Sequence, residues 1–302
     1  RRRNKDDYAF NRFSPLGRVH PFQHTTWVDG AALGGRVTLG GIILNYRGEI
    51  LSDRLQSTSL TFGRFDSRTL AKVALVSEKS WTMAGQGNVT VKAGATFDHS
   101  SRDGGATSPL AEIAREWTAG GLRRLFASYA QTTQVPSYTA LNSNPAAGLF
   151  RGNPNLGRET SRNLELGAHV ATNDWTADAA VFFRRDDALV DWTFRRGVTA
   201  RTANAVNLRT TGAELVARRS WSACDLVLGY TVLGKSSDYR GAPVDASFYA
   251  LNYARQRLTA AITARLGHGF ELRLDNGLRV QASNLLRTTG GDSAVTRWIR
   301  TG

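Results

Sequence analysis

The chain has 302 residues, of which 41% are hydrophobic and 21% are charged, and its net charge at pH 7 is +14. This length gives room for one large domain or two ordinary ones, and the hydrophobic content excludes an intrinsically disordered chain. Because no run of eighteen apolar residues occurs, the sequence excludes a membrane-spanning helix, although it does not exclude a membrane β-barrel, whose strands alternate between apolar and polar residues.

The first hundred residues contain strand-like segments that are less regular than those that follow. The chain begins at Arg1 with RRRNKDD, which lacks the apolar stretch of a signal peptide, so we expect the chain to be a fragment of a longer protein. Residues 90–98 alternate as a strand does, with one face formed by Val91, Ala93, Ala95 and Phe97. The role of residues 1–80 stays open.

Residues 108–117, SPLAEIAREW, favour a short helix when they are considered alone. Ser108 suits an N-cap and Pro109 suits the first helical turn. The apolar residues that follow recur at helical spacing, namely Leu110, Ile113, Ala114 and Trp117. The alternating segments on both sides nevertheless favour a strand, and we predict a strand on that context.

A long connection rich in turn-forming residues follows, and it returns to a strand through GNPNLGRETSRNLELG, residues 152–167. Asn153, Pro154 and Asn155 suit a turn, and Pro154 restricts Asn153 to extended backbone. Leu156 is expected to pack against the rim of a sheet, and Glu159 is expected to face water.

The strand after this turn, residues 163–171, carries a charge on one of its two faces. Leu164 and Leu166 share one face, whereas Glu165 lies on the opposite face. A carboxylate is tolerated in such a strand when its face borders a wet cavity, as in a large barrel.

The C-terminal half repeats this pattern in runs of about nine to thirteen residues, at 177–185, 258–266 and 270–282, and in a shorter run at 226–232. Soluble strands have about five or six residues, whereas a tilted strand needs about nine to eleven to cross a bilayer. The connections alternate between short turns, such as LGHG, and long loops, which is typical of a transmembrane barrel. The last letters, TRWIRTG, do not alternate, so residues 283–302 are expected to form an irregular tail.

No residue pattern indicates catalysis or a metal site. His20 and His24 are four residues apart, but Pro21 between them argues against a shared helix face. Asp186, Asp187 and Glu214 are interpreted as strand-end and cavity-facing groups rather than a catalytic pair. The only cysteine is Cys224, which excludes an internal disulfide. We therefore predict no enzyme activity, no cofactor and no metal.

Paired arginines and tryptophans lie near the ends of the alternating runs. A nucleic-acid-binding protein would gather such charges into one patch with interleaved aromatic residues. Their position at strand ends instead favours contact with lipid headgroups and an aromatic girdle. The residues concerned are Arg123–Arg124, Arg184–Arg185, Arg195–Arg196, Arg218–Arg219, Trp117, Trp175, Trp192, Trp221, Tyr129 and Tyr230.

Five segments resemble, in the same order along the chain, the C-terminal β-barrel portion of TonB-dependent outer-membrane receptors of the siderophore and cobalamin type. These segments are 125–141, 152–167, 180–192, 204–221 and 249–262. The resemblance covers about half of the chain. It implies a structural motif in which a loop re-enters the next strand. The residues that match this motif are Pro136, Asn153, Pro154, Asn155, Leu156, Glu159, Glu165, Gly167, Gly212 and Glu214. Ligand-binding residues do not follow from it.

The resemblance implies an all-β fold, namely a partial antiparallel transmembrane β-barrel with roughly 12 to 14 strands of a larger barrel. We predict one such domain over residues 1–302, with the clearest pattern at 81–282. The family's N-terminal plug domain and its closing strand are not recognised in the sequence, so we expect a fragment without them.

The resemblance also implies an integral protein of a Gram-negative outer membrane that imports a bulky nutrient. Its implied partners are that nutrient at the extracellular loops, the TonB complex through a plug, and outer-membrane lipid including lipopolysaccharide, without nucleic acid. Two alternatives stay open, a passive outer-membrane channel and an inactive truncated product. A soluble, basic nucleic-acid-binding protein ranks last.

Overall fold

The structure is a computed structural model that describes residues 1–8, 22–85, 87–283, 291 and 293–301. Within these ranges the chain forms sixteen strands and one short helix. None of the helices in these ranges has the length and apolar character to cross a bilayer. The elements are β1 (Arg2–Tyr8), β2 (Phe22–Leu39), β3 (Ile42–Ser57), β4 (Ser67–Met83), β5 (Gly87–Ser100), β6 (Gly104–Glu116), β7 (Leu122–Gln134), α1 (Tyr138–Asn142), β8 (Phe150–Arg151), β9 (Glu159–Ala171), β10 (Trp175–Phe194), β11 (Arg201–Ser220), β12 (Cys224–Asp238), β13 (Ala246–Ser247), β14 (Ala254–Gly267), β15 (Phe270–Gln281) and β16 (Val295–Thr301).

The long strands and β1 and β16 form one antiparallel sheet in which each strand pairs with the next one along the path, and β8 joins it by a short parallel pairing. Its order is β1-β2-β3-β4-β5-β6-β7-β9-β10-β11-β12-β14-β15-β16. The two-residue strands β8 and β13 lie off this path, where β8 pairs with β11 and β13 pairs with β10. Among the described residues, β1 and β16 each have one partner strand, so the sheet is open. The predicted partial antiparallel barrel, with 12 to 14 strands on its main path, is confirmed.

The long connections all lie at one end of the strands, as predicted, although the short connection 101–103 lies at that end too. The connections at one end, which we call the turn rim, include residues 40–41, 84–85, 117–121, 172–174, 221–223 and 268–269. Those at the other end, the loop rim, are residues 58–66, 101–103, 135–158, 195–200 and 239–253. Since consecutive antiparallel strands reverse direction, every second connection returns to the same rim.

The two faces of the sheet differ in chemistry. On β9, Leu164 and Leu166 point to the outer face and are 56% and 50% exposed. Their partners on β10 are Phe183 and Val181, which are also exposed apolar residues on that face. A contiguous exposed apolar surface of this kind indicates contact with lipid or another apolar partner.

The opposite, inner face carries paired charges. Glu112 on β6 lies 3.4 Å from Lys92 Nζ and 2.9 Å from Arg124 Nη2, which belong to the neighbouring strands β5 and β7. Glu165 lies on this face too, since Ser128 is its partner on β7 and the flanking leucines point outward. The two-residue period of the sequence therefore separates an apolar outer face from a polar inner face.

The helical preference of residues 108–117 is overridden by pairing. Residues 108–116 lie in β6, where each of them pairs with β5, up to Asn88 opposite Glu116. Pairing with β7 begins only at Leu110, so the missing N–H of Pro109 lies outside that ladder. A strand was predicted there from context, and the structure agrees.

The expectation that residues 283–302 form an irregular tail is wrong for residues 295–301. These residues form β16, which pairs with β15. The alternation was hidden because Arg297 shares the outer face with Ile299, so that face is not uniformly apolar. On the inner face Trp298 lies directly opposite Gly277. Residues 284–290, 292 and 302 lie outside the described residues.

The buried apolar core lies beneath the connections of the loop rim rather than between two sheets. One cluster joins Leu141 and Leu156 of a long connection to Ala203 of β11. A second joins Val206 and Leu208 of β11 to Ala250 of a different loop. Packed side chains thus fix the loops at this rim, where the candidate site lies.

Candidate functional site

Residues 135–158, which we call the cap segment, connect β7 to β9 and fold over the inner face. Ser137 caps α1 by accepting a hydrogen bond from the backbone N–H of Ala140 at 3.3 Å. Pro136 is almost fully buried at the start of the segment. The segment contacts β3 and β4 through Pro136 and Tyr138, and it contacts β11 through Leu141 and Leu156.

The first half of the cap segment is held by Asp53, Arg68 and Tyr138, which we call the Asp53 cluster. The Tyr138 hydroxyl donates to Asp53 Oδ1 at 2.5 Å, and Arg68 Nη2 donates to Asp53 Oδ2 at 2.7 Å. Arg68 Nη1 also donates to the Pro136 carbonyl at 2.7 Å, and the guanidinium lies 4.2 Å from the Tyr138 ring centroid. Both side chains of the ion pair are largely buried, at 9% and 15% exposure.

The Asp53 cluster keeps its phenol protonated to high pH. Burial is the main cause that raises the pKa of Tyr138 above its ordinary value of 10.0, and the hydrogen bond to Asp53 is the second. A charged phenolate beside a carboxylate would be disfavoured in this largely buried site. At physiological pH the Tyr138 hydroxyl is therefore neutral and donates its hydrogen bond to Asp53.

The second half of the cap segment contains the turn predicted from the sequence. Asn153 Oδ1 accepts the N–H of Asn155 at 3.0 Å, and the Asn153 N–H donates to the Ala140 carbonyl at 2.7 Å. Leu156 is only 3% exposed and packs on α1 and β11. Arg102 from the β5–β6 connection donates to the Leu156 carbonyl at 2.5 Å. The turn thus docks on its own helix as well as on the sheet.

The remaining motif residues lie along the strands. Glu159 is half-buried at the first position of β9, rather than fully in water, and Glu165 accepts a bond from Asn163 Nδ2 at 3.4 Å. Gly167 lies opposite Phe126 on β7, and Gly212 lies opposite Phe182 on β10. A Cβ at either glycine would meet the facing aromatic ring.

The ten motif residues therefore do not form one cluster. Pro136 and the Asn153–Leu156 turn lie in the cap segment, three residues lie on β9, and Gly212 and Glu214 lie on β11, where Glu214 is exposed on the inner face. Their role as a family re-entry motif remains a prediction. Most of them have visible structural contacts.

A buried carboxylate, Asp191, holds a second loop and was not identified from the sequence. It is 0% exposed and accepts the N–H groups of Tyr249 and Ala250, each at 3.0 Å. The Tyr239 hydroxyl donates to it at 3.1 Å. These four residues, the Asp191 cluster, tie residues 239–253 to β10. Burial is the main cause that raises the pKa of Tyr239.

An arginine lies among aromatic rings between these two clusters. The Arg201 guanidinium lies 5.5 Å from the ring centroid of Phe150, 4.8 Å from that of Phe194 and 5.5 Å from that of Phe248. Trp192 packs edge-on against Phe150 at 5.1 Å. Trp192 was expected in a membrane girdle, but it lies beneath the loops instead, because β10 extends beyond the outer apolar band.

Other predicted girdle residues do lie at the turn rim beside cations. Arg115 lies 5.2 Å from the Trp117 ring, and Arg219 lies 5.4 Å from the Trp175 ring and 4.6 Å from the Trp221 ring. Arg218, next to Arg219 on β11, faces the opposite, inner side, where it bonds Asp178 at 2.9 Å.

The acids considered in the sequence, Asp186 and Asp187, also point to opposite faces. Asp186 pairs with Arg184 at 2.8 Å on the inner side, and Asp187 pairs with Arg185 at 3.0 Å on the outer side. They cannot act on one substrate together. Across the described ranges no group of three or more His, Cys, Asp or Glu side chains is arranged to hold a metal ion. His20 and Pro21 lie outside those ranges, and His24 bonds Ser57 at 2.8 Å.

Two cavities flank α1 at the loop rim. One of 310 Å³ lies between the β1–β2 hairpin and the cap segment and is lined in part by Asp6, His24 and Phe150. The other, of 540 Å³, is lined by polar side chains that include Arg54, Arg64 and Asp66. The first cavity is lined mostly by apolar groups and the second mostly by polar groups.

Comparison with known proteins identifies a family with this architecture. A family model described as TonB dependent receptor-like, beta-barrel matches residues 1–299. Nothing among the curated proteins matches.

Similar solved structures include the siderophore receptor PirA from Pseudomonas aeruginosa (16% identity, 93% of this chain, 50% of that chain, TM-score 0.63). The copper transporter OprC is similar too (12% identity, 93% of this chain, 50% of that chain, TM-score 0.63), as is the FrpB iron transporter from Neisseria meningitidis (15% identity, 87% of this chain, 44% of that chain, TM-score 0.61). At these identities the likeness concerns the fold, and the chain spans about half the length of these proteins or less. Because the family match extends over nearly the whole chain, the chain belongs to the TonB-dependent receptor β-barrel family.

Proposed function

We propose that the native protein is an outer-membrane receptor that actively imports a bulky nutrient, and that this chain supplies part of its β-barrel. The observation that carries the proposal is the family match over residues 1–299, joined to a sheet with an apolar outer face and a charged inner face. Membership of this family implies the outer membrane of a Gram-negative bacterium.

The ligand is proposed to bind at the loop rim. Support comes from the ordered cap segment, the two cavities beside α1, and Arg201 among its phenylalanine rings. A siderophore is the class that we favour, because PirA is a siderophore receptor; OprC, a copper transporter of equal structural similarity, shows that the fold alone does not select it. Cobalamin or a similar bulky nutrient is retained as a second class.

The proposed partners follow from the family. Energy for release would come from the TonB complex, which acts through a plug domain. The outer face would contact membrane lipid, including lipopolysaccharide. We propose no nucleic-acid partner, no catalysis and no cofactor, as membership of a receptor family implies.

The proposal is tested by uptake in the native host. A strain lacking the gene and a complemented strain are compared for accumulation of labelled ferric siderophores and labelled cobalamin, with and without a functional TonB gene. We expect saturable uptake of one compound that needs both genes. Uptake that is independent of TonB and falls with solute size would indicate a passive channel instead, and absence of uptake from every strain for every compound would count against an importer of these classes.

A further inference from the structure

Three arginines lie side by side on the outer face, one on each of three adjacent strands. Arg185 of β10 is the direct partner of Arg162 on β9 and of Arg209 on β11. Directly opposite residues of antiparallel strands have Cα atoms about 4.5 to 5.5 Å apart. We call these three residues the arginine row.

The arginine row borders the apolar band of the outer face. Two residues nearer the turn rim, the same strands carry Leu164 and Phe183, which are 56% and 43% exposed on that face. Because side chains at positions i and i+2 share a face, the guanidinium groups stand just beyond the apolar side chains on the loop-rim side. Charged groups at such a boundary meet lipid headgroups, while their aliphatic stems cover apolar surface.

The charge of the row is only partly offset within the protein. Arg162 and Arg185 both form ion pairs with Asp187, and Arg162 Nε donates to Gln131 at 3.0 Å. Arg162 and Arg185 thus share one carboxylate, that of Asp187, so the described ion pairs leave this part of the row with more positive than negative charge. Like charges opposite each other on neighbouring strands are destabilising, so an external anion would relieve this arrangement.

We propose that the arginine row binds the phosphate groups of lipopolysaccharide in the outer leaflet, an inference that depends on the outer-membrane location in the proposed function. The planar guanidinium presents paired donors that match phosphate oxygens, and arginine is more weakly hydrated than lysine. The level of the row, beside the last exposed leucine and phenylalanine, fits a headgroup anion that remains attached to acyl chains on the apolar band. A free phosphate ion would contact only the guanidinium groups and not the apolar band.

The test uses the native protein purified in detergent from outer membranes. The variant carries Arg162→Gln, Arg185→Gln and Arg209→Gln. A matched control carries Arg36→Gln, Arg257→Gln and Arg279→Gln, which removes the same charge from the inner face. The probes are purified lipopolysaccharide, the same lipid after removal of its phosphates, phosphatidylglycerol and inorganic phosphate, and the readouts are the lipid retained per protein and the shift in unfolding temperature.

We expect the row variant to lose lipopolysaccharide affinity by roughly an order of magnitude or more, whereas the control variant should keep the affinity of the wild type. The dephosphorylated lipid should bind the wild type as weakly as intact lipopolysaccharide binds the row variant. Arg→Lys at all three positions should restore part of the binding. Equal lipopolysaccharide retention in the row variant and the control would overturn the proposal, as would an equal response to phosphatidylglycerol or to inorganic phosphate.

Folding and function are separated from lipid binding in the same experiment. Both variants are checked by the mobility shift between unheated and heated samples without added lipid, and by nutrient uptake in cells. If the row variant does not fold, the three single variants are measured instead. Unchanged lipopolysaccharide retention in all three would contradict the proposal. If wild-type cells take up none of the nutrients, or if the protein is absent from the outer membrane, the proposed function itself is contradicted.

Discussion

At the scale of single residues, two buried carboxylates hold the loops of the loop rim. Asp53 accepts from Tyr138 and Arg68, and Asp191 accepts from three donors of one loop. A buried carboxylate is tolerated only when its lone pairs are satisfied, so each cluster is more stable closed than open. The loops are therefore ordered by a few strong polar contacts rather than by a large apolar core.

Replacement of Asp191 by Asn should release residues 239–253. With the amide nitrogen of Asn in the place of Oδ2, the Tyr239 hydroxyl can turn to accept a hydrogen bond from it, but the Ala250 N–H loses its acceptor at a cost of about 1 to 3 kcal/mol. Trypsin cleavage after the exposed Arg240 should then accelerate roughly tenfold or more. Asp245→Asn in the same loop is the control, since the one described bond of its side chain, from the Arg196 N–H, needs a single acceptor oxygen. Equal cleavage rates of the two variants would show that Asp191 does not hold the loop.

The raised pKa of Tyr138 predicts alkaline release of the cap segment. The folded protein keeps this phenol protonated above pH 10, where the unfolded chain loses the proton, so the stability from the Asp53 cluster is complete below pH 10 and falls as the pH rises through the raised pKa. The absorbance of tyrosinate near 295 nm, compared between wild type and Tyr138→Phe, should place this ionisation well above that of an ordinary tyrosine. A difference curve centred near pH 10 would contradict the assignment.

At the scale of strands, glycines admit aromatic side chains to the inner face. Gly167 and Gly212 face Phe126 and Phe182 across the ladder, so each ring lies over bare backbone. Glycine in a strand interior usually weakens it, but a cross-strand aromatic ring compensates by covering the gap. This contact gives two motif residues a local structural reason.

Gly212→Ala should therefore lower stability. Its Cβ would stand 2.5 Å from Phe182 Cζ, 2.7 Å from Leu233 Cδ2 and 2.9 Å from the Val232 carbonyl oxygen. Such overpacking costs about 1 to 3 kcal/mol, so the temperature at which the compact electrophoretic form is lost should fall. Gly48→Ala is the matched control, because a Cβ there meets nothing within 4 Å. An unchanged transition in the Gly212 variant would disprove the contact argument.

The strands were predictable from the sequence where both faces kept their chemistry, and this also marks where prediction failed. The alternation of Leu164, Glu165 and Leu166 was sufficient to predict β9, because hydrocarbon and a wet cavity impose opposite residue types. Arg297 breaks that rule on β16, so this strand was missed. The roles of Asp53 and Asp191 could not be predicted, since a two-residue period gives the face of a side chain but not the loop that closes over it.

At the scale of the whole molecule, the open sheet has two unpaired edges among the described strands, β1 and β16. Unpaired backbone groups are costly in hydrocarbon, and exposed edges invite association. Since the similar structures are about twice as long as this chain, we expect both edges to pair with further strands in the native protein. The same arrangement would leave the inner face and its charges around a central cavity.

The most direct test of the account measures the surroundings of four consecutive residues on β9. Spin labels are placed by cysteine substitution at 163, 164, 165 and 166 of the native protein, with Cys224→Ser, in outer-membrane vesicles. Collision with oxygen should dominate for the labels at 164 and 166, and collision with a water-soluble nickel chelate should dominate for those at 163 and 165. Similar collision ratios at all four positions would contradict the claim that one face lies in hydrocarbon and the other in water.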